Sequence, residues 1–80
     1  MTLRKAMEHQ VEQDEIQLAA LRADLLCFEQ RYGLSSEEFC ARYQAGQAGD
    51  DADALEWNVI YTMHARLTEA VKTLHDQLRA

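Results

Sequence analysis

Proline is absent from this sequence, and glycine occurs only at Gly33, Gly46 and Gly49, so almost nothing interrupts a helix once one has begun. No run of about 18 apolar residues exists, which excludes a transmembrane helix. No basic stretch leading into an apolar one opens the chain, so the sequence reads as that of a cytoplasmic protein. Cysteine is scarce as well. In that setting Cys27 and Cys40 read as free thiols rather than a disulfide framework. Positive charge is in deficit, with 8 Lys and Arg against 14 Asp and Glu and a net charge of −6. Binding to nucleic acid needs clustered cations that displace counterions from phosphates, so the chain alone is not expected to bind it. Its 80 residues make a single domain, 1–80, in which folding buries only about 60–65% of the unfolded surface.

What the sequence does have is helical periodicity. The glycines cut it into three pieces, predicted as helices over about 2–32, 36–45 and 51–78. In the first, Val11, Leu18, Leu25 and Tyr32 recur every seven residues, with Met7, Asp14, Leu21 and Phe28 at the interleaved positions. That is the a/d seam along which two helices lock together, weakened at Asp14. In the last, Trp57, Ile60, His64, Leu67, Val71, Leu74 and Leu78 are spaced alternately by three and four, a second seam of the same kind. Gly33 suits a left-handed C-terminal cap, with Leu34 supplying the contact that accompanies it. Ser35 through Glu38 then predicts a capping box, in which Ser35 accepts from the backbone at Glu38 and Glu38 reaches back, with Leu34 and Phe39 as a hydrophobic staple. The predicted fold is all-α: a long antiparallel, coiled-coil-like helical hairpin with a short corner helix. Phe28, Tyr32, Phe39, Tyr43 and Trp57 are expected to cluster at the corner.

A second stripe, Ile16, Ala19, Ala20, Ala23, Leu26 and Cys27, lies on another face of the first helix. One neighbour within the chain cannot cover both stripes. Ile16, Ala19, Ala23 and Leu26 are therefore the expected oligomer interface, and a homodimeric four-helix bundle the expected assembly.

Catalytic and metal chemistry find little support. His9 and Glu12, with Glu8, Asp14 and Glu15 nearby, lie off the seam, and Glu56, Glu69 and Asp76 are too dispersed to complete a carboxylate cage. Cys27 and Cys40 lack a paired ligand spacing. His64 and His75 stand about 16 Å apart along one helix. No Gly-rich phosphate loop occurs, and Ser35 and Ser36 are accounted for by capping rather than nucleophilic attack. Neither an enzymatic role nor a cofactor is expected. His64, on an apolar seam, reads as a core histidine satisfied by Asp14 or a backbone carbonyl, with a pH-sensitive or register-fixing role as the alternative. The segment from Tyr32 to Phe39 superficially looks like the opening of a helix-turn-helix motif. The helix after it, however, begins with Asp50, Asp51, Asp53 and Glu56, which repel phosphates.

Residues 33–53 hold Glu37, Glu38, Asp50, Asp51 and Asp53 against Arg42 alone, so the net charge is concentrated at the corner. Capping accounts for one or two of these acids. The set Asp50, Asp51, Asp53 and Glu56, with Arg42 and Tyr61, is the candidate surface for a basic partner, since complementary charge speeds association and selects the partner.

The run Glu29-x-x-Tyr32-Gly33-Leu34-Ser35-x-Glu37-Glu38-Phe39, followed by Gly46, Asp50, Asp51 and Glu56-Trp57, resembles small helical antitoxin-like proteins of prokaryotic toxin–antitoxin loci. The resemblance covers residues 29–57; the flanking helices match only as generic coiled coil. It implies a non-enzymatic protein that neutralises a neighbouring toxin, such as a ribonuclease, by binding and occluding it. An acidic chain suits a toxin with a basic substrate groove. The sequence departs from many antitoxins in having no recognisable DNA-binding domain and no disordered neutralising tail. The competing expectation is a structural or assembly subunit that uses its second stripe to build a homo-oligomer with no toxin partner.

Overall fold

In a computed structural model, residues 2–79 are described. They form α1 (Leu3–Tyr32), α2 (Ser36–Gln44) and α3 (Ala52–Arg79). Arg4 donates to the Leu78 carbonyl at 3.1 Å, His75 lies 3.4 Å from Glu15, and Arg31 lies 3.0 Å from Asp53. These contacts run α1 and α3 antiparallel, in a rod of 47 × 21 × 17 Å. The heptad seams account for the pairing. Val11, Leu21, Leu25 and Phe28 of α1 are buried, as are Trp57 and Val71 of α3, while Leu18, Ile60, Leu67, Leu74 and Leu78 are half-buried.

The helix ends follow from local chemistry. The Thr2 side chain caps α1 by accepting from Lys5 N–H. Gly33 ends it at φ 63°, and the Gly33 and Leu34 N–H groups both donate to the Glu29 carbonyl. At the end of α2, Gly46 N–H donates to Tyr43 and Gln47 N–H to Arg42, the paired bonds of a Schellman turn. Asp51 caps α3, accepting from Ala54 N–H at 2.8 Å.

Two sequence expectations need correction. Ser35 does accept from Glu38 N–H at 3.1 Å, but among the described residues Glu38 makes no return bond to Ser35 N–H. Glu29, seven residues earlier and across the turn, accepts Ser36 N–H at 2.8 Å. His64 is half-buried on the seam as expected, yet Asp14 is not its partner. Asp14, buried, accepts from Gln10 one turn before it on α1. In the antiparallel alignment, Glu15 stands beside His75, about three turns from His64.

Candidate functional site

The core is thickest at the corner, where α2 closes the end of the hairpin. Trp57 is 2% exposed and stacks on Phe39 with centroids 4.0 Å apart and rings 2° from parallel. Phe28 and Tyr32 stack on it from α1 at 5.4 and 5.6 Å. Such pairs contribute about 0.5–1.5 kcal/mol each beyond burial. A tryptophan this deep must satisfy its indole N–H, and it donates to Ser36 Oγ at 2.8 Å. Ser36 is thus a buried junction as well as a helix-start residue. Its backbone N–H donates to Glu29 at 2.8 Å, and hydrogen bonding from Ser36 holds the Glu29 carboxyl below its ordinary pKa. One chain of bonds therefore runs from α3 through α2 to α1.

On the outer side of the same corner, Asp53 accepts from the Tyr32 hydroxyl and from Arg31. The Tyr32 bond is the main cause that lowers the Asp53 pKa, and Arg31 adds to it. The same carboxylate raises the pKa of Tyr32 and of Arg31.

A solvent-open cleft of about 290 Å³ enters this corner, lined by Tyr32, Leu34, Phe39 and Trp57 and edged by Arg42 and Asp51. The six residues read from the sequence as a partner surface divide over it unequally. Arg42 and Asp51 share the cleft, and Asp50 precedes Asp51 on the exposed chain. Asp53 is engaged with Arg31 and Tyr32. Glu56 borders a different groove with Asp24, Cys27 and Phe28. Tyr61 packs half-buried against the core and lines a third groove with His64 and Arg22. Asp50, Glu56, Glu37 and Glu38 are exposed and form no ion pair among the described residues.

On the back of α1, Ile16 is 66% exposed and Leu26 41%, with Ala19, Ala20, Ala23 and Cys27 exposed between or beside them. On α3, Leu55, Val59 and Met63 are also exposed, a surface that sequence reasoning missed because the buried seam dominates the periodicity there. Among the described residues no three His, Cys, Asp or Glu side chains stand together as a metal cage. Among the described residues no helix is long and apolar enough to cross a membrane. Compared with known families, curated proteins and solved structures, the chain matches none.

Proposed function

We propose that this chain is a non-enzymatic, cytoplasmic protein-binding module of the antitoxin kind, which neutralises a small basic toxin by occluding it. The observation that carries this reading is the corner: an aromatic-lined cleft edged by Arg42 and Asp51, with Asp50, exposed and without an ion pair among the described residues, next to Asp51 in the chain. Apolar surface of this kind supplies binding energy, and the unpaired acids supply steering and selectivity. Asp50, Asp51 and Arg42 form the proposed contact centre.

Self-association belongs to the same proposal. The back of α1 is palindromic about position 21: an antiparallel second copy brings Ile16 level with Leu26 and Ala19 level with Ala23. The alanines allow close approach at the centre, and two hairpins so joined make a dimeric four-helix bundle. This exposed face also favours the second reading, an assembly subunit with no toxin partner.

Co-expression with the reading frame beside its gene separates the two. Under the antitoxin reading the neighbour alone arrests growth, and this chain relieves the arrest in a complex that co-purifies. The combination of Asp50→Lys with Asp51→Asn keeps the α3 cap, since asparagine caps as well as aspartate, and weakens that complex about tenfold or more. A harmless neighbour that does not bind leaves the assembly reading.

A further inference from the structure

The exposed side of α3 carries a stripe distinct from the one buried against α1. Ala52, Glu56, Val59, Met63, Arg66 and Ala70 are spaced 4, 3, 4, 3 and 4 and fall within an arc of about 80° at 3.6 residues per turn. That arc lies roughly a quarter-turn from the seam. Val59 is 46% exposed and Met63 42%; Ala52, Glu56, Arg66 and Ala70 are exposed too. Neither Glu56 nor Arg66 has an ion-pair partner among the described residues.

We infer that this face of α3 is a two-fold contact with the same face of a second copy of this chain, the helices antiparallel and centred on position 61. The stripe is palindromic about that point. Val59 comes level with Met63 of the second copy, Ala52 with its Ala70, and Glu56 with its Arg66; two-fold symmetry repeats each pairing. The apolar residues thus meet in the middle, with an opposite-charge pair on either side. A parallel pairing would instead set Glu56 against Glu56 and Arg66 against Arg66, so charge selects the antiparallel form.

The rod leaves more surface uncovered than a compact chain of its mass. The chain exposes 5778 Å², whereas a globular protein of 9.2 kDa exposes about 4,900 Å². The excess, about 880 Å², belongs to the whole rod and is shared by its uncovered α1 and α3 faces. This contact is separate from the one proposed on the back of α1. A chain that uses both two-fold faces assembles beyond a dimer.

Sedimentation equilibrium of the Leu26→Glu chain, in which the back of α1 is disabled, tests the α3 contact by itself. The expected mass is twice that of the chain. Glu56→Arg or Arg66→Glu alone should weaken the dimer about tenfold or more, by setting like charges together. The combined Glu56→Arg and Arg66→Glu swap should restore it, and circular dichroism should show unchanged helix content throughout. A monomeric Leu26→Glu chain at high concentration would overturn the inference, as would single reversals without effect or a double swap no better than either. None of these outcomes bears on whether a toxin binds at the corner, and the mass of the wild-type chain against Leu26→Glu reports separately on the α1 face.

Discussion

Ser36 shows how much one small side chain can hold. It is 3% exposed and accepts from a tryptophan that is 2% exposed, so Ser36→Ala leaves a buried indole N–H without a partner. Loss of about 1–3 kcal/mol in urea denaturation is expected. In a Trp57→Phe background the same change should cost much less, because the orphaned donor has gone with the indole. Equal costs in both backgrounds would show that the hydrogen bond is not the cause. Glu29, the next link, and Asp53 both have folded pKa values below the ordinary 4.5 and 3.8. As pH falls, the unfolded chain therefore takes up protons first. The stabilisation is complete above the ordinary carboxylate values and is lost as pH falls through the depressed folded ones. Glu29→Gln should cost about 1 kcal/mol at neutral pH, because a charge-assisted bond becomes a neutral one, and should flatten part of the acid limb of a stability–pH curve. An acid limb as steep as in the wild type would remove Glu29 from this account.

At the scale of the element, the heptad spacing was enough to read both long helices and their buried faces, because a seven-residue apolar repeat has few other uses. The cap was legible where donor and acceptor are neighbours in sequence, as with Ser35 and Glu38, while at α3 the sequence showed only that one or two of several acids cap and not that Asp51 does so. Nor was a cap legible where the acceptor arrives from another helix. Glu29 satisfies Ser36 only once the Gly33 turn has brought α1 beside α2, and no local pattern encodes that approach. Asp14 is the weak point of the α1 seam: it is buried, and its hydrogen bond comes from Gln10 on its own helix, a residue that is itself exposed. Asp14→Leu should therefore raise stability by about 1–2 kcal/mol, through apolar burial and relief of desolvation. A shift of the urea midpoint to lower concentration would instead assign Asp14 a role in setting the register of the seam.

For the whole molecule, a 47 Å rod closed at one end by a five-aromatic corner leaves most of its length as a two-helix pair. Two helices cannot bury both sides of themselves, and the exposed Ile16, Leu26, Val59 and Met63 follow from that shortage. The α1 stripe was readable because it is almost wholly apolar. The α3 stripe was not, because Glu56 and Arg66 interrupt it and only the built hairpin shows which α3 residues are left uncovered. The candidate partner surface was legible as a concentration of acid, and tertiary structure then divided its members. Asp51 serves as a cap, Asp53 pairs with Arg31 and Tyr32, and Glu56 and Tyr61 face other grooves. Leu26→Glu and Ala23→Glu should lower the mass of the assembly in solution without loss of helix; an unchanged mass would remove the back of α1 from the interface.

The central claim is that the acidic, aromatic corner binds and silences a basic protein. The measurement that tests it most directly is co-expression of this chain with the adjacent reading frame, scoring growth and co-purification together, for the wild type and for the chain carrying Asp50→Lys with Asp51→Asn. The account expects arrest by the neighbour alone, rescue by the wild-type chain in a stable complex, and loss of both rescue and complex when the corner charge is changed. A neighbour that neither arrests growth nor binds, or a complex indifferent to the corner substitutions, would contradict it.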